Sequence, residues 1–494
     1  MSPQKSNTIQ AFWVALSSLS SMLLAIVSAA ILSRYFDKVE YGTYRQIIYV
    51  YTSLVLIFSA GLPNIFSYFL PKQDKNQGKD LVNKVTYLLL GLGLIFSAFL
   101  WIGAPLISTF FGNEQMITGL RKFAVIPILL LPTLGLDGIF ASYQQTHLLA
   151  IYNTLNRVLM LFCIVVPVIW FENTTAMAIN GWILASILNF GLALWFRNLP
   201  FKGIKPTTSE ITTKVIFTYS LPLVTANLWG MAIKYADQFY ISNYFGPEVY
   251  AEFSNGFIEI PFIGMITSSA SVVLMPLFSN YIYNNDSTKL VETLQNTIKK
   301  SALIIYPITV FCLIFSKEII ETLFSKSYSI SGIYFKINIF INFFNIIIFT
   351  PIILALGKTK FYSNMHMVFA LWAWVSGVII VNIFNSPYAI AVLSTANTIA
   401  IYLVAFFYAS NLLKISVFKL VPLKLILIIL TTCLVSLIII KLIVGYYFIS
   451  NNFKLLFISG ILYFLVIIFI ERIFNVPFTE VVKPILIKFK QNNS

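Results

Sequence analysis

The chain has 494 residues, of which 58% are hydrophobic and only 10% charged, with a formal net charge of +15 and a mean hydropathy of +0.85. A soluble domain carries about 25% charged residues, so this chain cannot cover a water-facing surface, and an integral membrane protein is expected. The positive balance does not point to nucleic acid, because Lys and Arg are dispersed through short connections, the pattern of orientation signals rather than of a binding face.

About fourteen apolar runs have the length, roughly 20 residues, needed to cross hydrocarbon as helix. In chain order they cover 10–32, 46–70, 85–111, 123–143, 152–170, 177–196, 215–240, 253–278, 298–315, 335–356, 365–383, 389–410, 425–446 and 455–470. They do not alternate as barrel strands would, so the expected fold is an all-α polytopic membrane protein. The first run follows Lys5 and ends near "SAA", but it is longer than a signal-peptide core, and an uncleaved first helix is predicted. Basic residues fill alternate connections: Lys72, Lys75, Lys79 and Lys84; Arg197, Lys202, Lys205 and Lys214; Lys289, Lys299 and Lys300; then Lys358, Lys360, Lys414, Lys419 and Lys424. With Arg472, Lys483, Lys488 and Lys490 of the tail, all fall on one side if both termini are cytoplasmic. No connection is long enough for a soluble domain; 279–297 and 316–334 each have room for one amphipathic surface helix.

One stretch occurs twice. "SRYFDKVEYGTYRQ" (33–46) and "SNYFGPEVYAEFSN" (242–255) align at an offset of 209, pairing Ser33 with Ser242, Tyr35 with Tyr244, Phe36 with Phe245, Tyr41 with Tyr250 and Tyr44 with Phe253. Each copy ends an odd-numbered span, the first and the seventh. An even number of spans separates them, which predicts a parallel repeat about an axis along the membrane normal. The competing account is an aromatic belt at helix ends in a Tyr- and Phe-rich chain.

The span count, the "SRYFDKVEYGTYRQ" turn and "GLPNIFSYFLPK" (61–72) make the chain resemble bacterial Wzx-type polysaccharide-unit flippases of the multidrug/oligosaccharidyl-lipid/polysaccharide exporter superfamily, which includes the MATE-like transporters. The resemblance implies two six-helix bundles, 1–200 and 201–414, in a V around a central cavity, with two peripheral helices and a cytoplasmic tail in 415–494. It implies a protein of the bacterial cytoplasmic membrane that moves undecaprenyl-diphosphate-linked oligosaccharide to the outer leaflet for O-antigen, capsule or other surface polysaccharide assembly. The substrate, membrane lipids and a polysaccharide polymerase are the implied partners, and no cofactor is implied.

Such a substrate demands a polar, preferably cationic, cavity. In the seventh span Asn227, Lys234 and Gln238 share a helix face, with Asp237 three residues from Lys234; the eighth run adds Asn255 and Glu259, one turn apart. Lys234 either anchors phosphate or pairs with Asp237 inside the helix. Asp237, Glu259 and, in the fourth span, Asp137 are the candidates for proton or sodium coupling. At the offset of 209, Lys234, Asp237 and Glu259 face the neutral Ala25, Ser28 and Val50, so ionisable chemistry is concentrated in the second copy. The first bundle offers Arg45, which could line a cavity mouth, and Arg34, an interface anchor. Asn153, Asn156 and Arg157 open the fifth span; Arg157 is expected near the cytoplasmic surface, placed there by topology or by an incoming diphosphate. Asn338, Asn342 and Asn345 form a stripe suited to sugar contacts or to helix–helix hydrogen bonds.

Cys163, Cys312 and Cys433 stand alone in apolar runs and His147 and His366 lack ligand partners, so neither a disulfide framework nor a metal site is expected. A cation-coupled drug or metabolite exporter of the same superfamily is the alternative function, and a peptidoglycan-precursor flippase a third. A membrane polymerase or ligase would need a large outer loop or a nucleophile with a paired base, and the sequence offers neither; no catalytic residue is expected.

Overall fold

The computed structural model describes residues 7–448 and 451–474, so the basic tail with Lys483, Lys488 and Lys490 lies outside the described residues. Those residues are helical, with no strand among them. Eleven helices are long and apolar enough to cross a membrane, or thirteen if each of two bent pairs counts as one span. The chain is a multi-pass membrane protein.

The residues cluster into two compact units, Met1–Glu252 and Phe253–Ser494. The first holds α1 (Asn7–Tyr35), α2 (Lys38–Phe58), α3 (Ile65–Phe69), α4 (Lys75–Phe110), α5 (Gln115–Phe123), α6 (Ile126–Leu130), α7 (Leu136–Ser142), α8 (Thr146–Trp170), α9 (Thr175–Asn198) and most of α10 (Thr213–Gly256). The second continues with α11 (Pro261–Tyr283), α12 (Ser287–Ile314), α13 (Ser316–Phe324), α14 (Ser331–Ile339), α15 (Thr350–Ala355), α16 (Thr359–Phe384), α17 (Pro387–Leu413), α18 (Val417–Leu420), α19 (Leu423–Phe448) and α20 (Asn452–Phe474).

Several expected spans are interrupted, and in three of them the local reason is plain. The second bends by 54° between Lys38–Phe58 and Leu62–Lys72, where Ala60 (φ 49) and Gly61 (φ 65) adopt left-handed backbone and Pro63 follows in a 3-10 turn. The eighth breaks at 257–260: α10 stops at Gly256, and Pro261, which lacks an N–H and forces its predecessor out of the α region, restarts the helix. The tenth, 335–356, is not a continuous helix. It splits into α14, a 3-10 turn at Phe340–Phe343 and α15, with Pro351 at the start of α15. Side chains satisfy the polar groups such a break exposes. Tyr306 donates to the Phe343 carbonyl at 3.0 Å, Asn345 Nδ2 to Asn342 Oδ1 at 2.8 Å, and Asn338 Nδ2 to the Ile258 carbonyl at 2.9 Å. The Asn stripe thus stitches the backbone.

In the second unit α19 packs on α12. Lys441, in the body of α19, bonds Glu318 Oε1 at 2.7 Å and the Ile314 carbonyl at 2.7 Å, and Asn452 Nδ2 donates to Glu321 Oε2 at 2.7 Å. In the first unit the segment between α9 and α10 is tied down on α4. There Ser209 N donates to Asp80 Oδ2 at 2.8 Å, Lys84 to the Ser209 carbonyl at 3.1 Å and Lys79 to that of Ile204 at 2.7 Å.

The twice-used stretch builds the same helix–corner–helix turn each time. In the first copy Asp37 (φ −69, ψ 166) caps α2, its side chain accepting from Glu40 N at 2.8 Å. Offset by 209, Gly246 (φ 78, ψ −179) breaks α10 and Pro247 starts its second segment. One copy therefore uses a side-chain cap, the other a glycine in a backbone region closed to other residues followed by proline at the first helical position. No atom lies within 4 Å of a Cβ built on Gly246, so the cost of Gly246→Ala is purely conformational, about 1–3 kcal/mol, against about 1 kcal/mol for the lost cap in Asp37→Ala. Thermal melting is expected to fall further for Gly246→Ala; the reverse order would contradict this account.

The two corners also pack on each other. A Cβ on Gly42 would strike the Pro247 carbonyl. Gln46 Nε2 donates to Ser242 Oγ at 2.9 Å and Gln46 Oε1 accepts from Asn113 Nδ2 at 2.6 Å, while Lys38 Nζ lies 2.6 Å from Glu252 Oε1 and 3.6 Å from Glu248 Oε1. Farther along α2, Tyr49 OH donates to the Tyr235 carbonyl at 3.2 Å and Tyr235 OH to that of Thr52 at 3.4 Å. Tyr41 and Tyr250, partners in the alignment, are both fully buried. A belt at a membrane surface would leave such rings half wet; burial marks them as core of the corner.

Candidate functional site

Beneath the first corner, α1, α2, α8 and α9 enclose a cavity of about 260 Å³. Space for it comes from small residues on one face of α1, Ala25, Ser28 and Ala29, spaced at helical intervals. Opposite them α2 presents Tyr41, Tyr44, Arg45, Ile48 and Thr52, α8 presents Arg157, and α9 presents Trp182. Trp182 Nε1 donates to Tyr44 OH at 2.8 Å, which fixes both rings as a polar-edged wall. Ser17, Ser20, Asn153 and Thr154 hold α1 to α8, through Asn153 Nδ2 to Ser17 Oγ at 2.8 Å and Ser20 Oγ to Thr154 Oγ1 at 3.1 Å.

Arg45 and Arg157 are the cations of this cavity, and no ion pair among the described residues involves either. The rings of Tyr41 and Tyr44 line the cavity together with Arg45. At 1.5 Å per residue, Arg45 lies about 10 Å along α2 from the corner and Arg157 about 20 Å along α8 from the same end. The two cations therefore stand at different depths. Arg157 is not near a helix end as expected. Gln144 (φ 56) turns the chain, so α8 begins at Thr146, earlier than the apolar run, and Arg157 falls mid-helix.

The remaining expected residues are dispersed. Lys234 is exposed, and no ion pair between it and Asp237 occurs among the described residues; Asp237 is buried, and its Oδ1 accepts from the Gln238 N–H at 2.6 Å. Gln238 Oε1 accepts from Tyr250 OH at 3.1 Å. Asn227 is exposed and back-bonds to the Leu223 carbonyl at 3.0 Å, in the stretch where α10 bends by 43°; such back-bonding bends helices. Asn255 is buried. Glu259 is not on a helix with it but exposed in the 257–260 connection, for the Pro261 reason above. Asp137 is exposed in the first turn of α7, outside the cavity lining, and Arg34 is exposed. No group of three or more His, Cys, Asp and Glu that could hold a metal occurs among the described residues.

Sequence reasoning named both arginines but missed Tyr41, Tyr44 and Trp182 as lining. The available signal was that positions 41, 44, 45, 48 and 52 recur at helical spacing opposite the small-residue face of α1.

A family model described as polysaccharide biosynthesis protein matches residues 4–331. The chain belongs to that family. The match takes in the whole cavity and both corners. No curated protein matches the sequence. Among solved structures, the lipid II flippase MurJ in an inward closed conformation aligns over 94% of this chain and 98% of its own, with TM-score 0.68 and 18% identity. An inward-facing MATE-family multidrug transporter of the MOP superfamily aligns over 81% and 98%, with TM-score 0.60 and 10% identity. A MOP superfamily transporter from Pyrococcus furiosus aligns over 83% and 97%, with TM-score 0.56 and 13% identity. At these identities the likeness is one of fold. Family membership places the chain in polysaccharide biosynthesis, and the solved structures share its fold.

Proposed function

We propose that the protein flips undecaprenyl-diphosphate-linked oligosaccharide units across the bacterial cytoplasmic membrane, by alternating access, for O-antigen, capsule or a related surface polymer. The observation that carries this reading is the cavity shared by Arg45 and Arg157. A charge at the centre of a span costs about 2.5–3.5 kcal/mol on insertion scales and is kept where a partner waits. Two guanidiniums without carboxylates, at successive depths, suit an anion that moves along the membrane normal, and forked donors suit phosphate oxygens. The volume is small beside the roughly 300–1,000 Å³ of ordinary ligand sites, which favours a diphosphate over a whole glycan. In this reading both termini are cytoplasmic, the bundles divide at 200/201 and 414/415, and a polymerase receives the flipped unit. Buried Asp237 carries the proton or sodium coupling. Lys234, Asn227, Gln238 and Asn255 serve the path through the second half, with Glu259 and Asp137 as weaker coupling candidates.

Deletion in a strain without redundant flippases is expected to accumulate undecaprenyl-linked units on the cytoplasmic side and abolish surface polymer. Normal surface polymer with no accumulation would sink the reading and favour the drug or metabolite exporter.

A further inference from the structure

A second concavity, of about 440 Å³, opens at the corner end of the first unit between α2, α5 and the turn from α8 to α9. It differs in kind from the arginine cavity. Its lining includes Glu40, Gln115, Thr118, Lys122, Glu172 and Ala176. Thr118, Lys122 and Glu172 are exposed and engage no protein partner among the described residues. Glu40 is held in place, Oε2 accepting from Thr175 N at 2.6 Å and its carbonyl accepting from Thr175 Oγ1 at 2.9 Å, which leaves Oε1 to face a ligand.

We infer that this basin is a binding site for uncharged sugar residues. Hydroxyl, amide, ammonium and carboxylate groups converge from three elements. They supply the mixed donors and acceptors that adjacent sugar hydroxyls need, each hydroxyl being one donor and two acceptors. Two carboxylates against one ammonium give the basin a net negative balance, which opposes a uronate and tolerates neutral or N-acetylated rings. The volume falls within the range of small-ligand sites, whereas the arginine cavity falls below it. Glu40 and Thr43 face the basin while Tyr41, Tyr44 and Arg45 face the cavity, so α2 separates sugar chemistry from phosphate chemistry. This inference rests on the reading that the chain handles a glycan-bearing lipid, for which the basin would hold distal sugars at the corner end.

The test is saturation-transfer difference NMR on the full chain in lipid nanodiscs, with maltotriose, tri-N-acetylchitotriose and trigalacturonate as probes. At least one neutral trisaccharide is expected to give a signal that trigalacturonate does not. That signal should vanish in the double variant Thr118→Ala, Glu172→Gln, whose positions are exposed and unpaired, and in the basin-filling Ala176→Phe; it should survive in Arg45→Ala. Absence of any neutral-sugar signal, an equal signal from trigalacturonate, persistence in the double variant, or loss in Arg45→Ala would each overturn the basin. If deletion of the protein leaves normal surface polymer with no accumulated lipid-linked units while the basin still binds sugar, the flippase reading fails and the basin stands.

Discussion

Replacing Arg45 by Ala is expected to lower flipping about ten- to hundredfold, since a hydrogen bond to a charged group contributes about 1.5–3 kcal/mol and 1.4 kcal/mol is a factor of ten. Arg157→Ala should act in the same direction. Arg45→Lys should fall between, keeping charge but losing the fork that matches phosphate oxygens. The double Ala variant should lose less than the product of the single effects if both arginines serve one diphosphate. Stability separates this role from a structural one. Neither guanidinium has an ion-pair partner among the described residues, so Arg45→Leu should melt no lower than wild type while transporting poorly. Surface-polymer yield normalised to protein level, read beside thermal melting in detergent, gives both quantities. Full transport by Arg45→Ala, or a large melting loss in Arg45→Leu, would remove Arg45 from substrate handling.

The second large effect is expected at Gly42. Any side chain there meets the carbonyl, carbonyl carbon and Cα of Pro247, main-chain atoms of a residue whose φ is fixed by its ring. Nothing on either side can swing away. Overpacking of this kind costs about 1–3 kcal/mol, and Gly42→Val should reach the upper end, with lowered yield and melting temperature. Gly91→Ala is the control: nothing lies within 4 Å of its added Cβ and the residue is mid-helix, so this change should be neutral or stabilising by about 0.5–1 kcal/mol. A Gly42→Val protein as stable as Gly91→Ala would mean that the corners do not press together as described.

Much of the fold was legible because the membrane imposes one rule, apolar runs of helix length. Thirteen of the expected runs correspond to helices or bent helix pairs in the structure. The rule is blind to what interrupts a run. Residues 335–356 are as apolar as their neighbours, yet Pro351 and three asparagines whose amides bond backbone and one another end the helix. Hydropathy also misplaced Arg157, because α8 starts in the polar stretch at Thr146 that an apolar scan discards. Of the site, the cations were visible and the space was not. The alignment of Lys234 and Asp237 with Ala25 and Ser28 drew attention to the charged copy, whereas in the structure the small, neutral copy makes the room. A cavity is a deficit of side-chain volume, and one sequence shows a deficit only when its facing helices are known.

The meeting of the two corners bears on how such a chain could arise. Position 46 of the first copy touches position 242, the counterpart of its own residue 33, and position 42 touches 247, the counterpart of 38. Contacts in which one site meets the counterpart of another are what a two-fold homodimer of half-length chains would make, each occurring twice. In such a dimer every mutation strikes both sides of the axis at once, so a glycine–proline corner and an aspartate-capped one could not coexist. Fusion into a single chain lifts that constraint, leaving one half free to become cationic and hollow while the other acquires a lysine and a buried carboxylate.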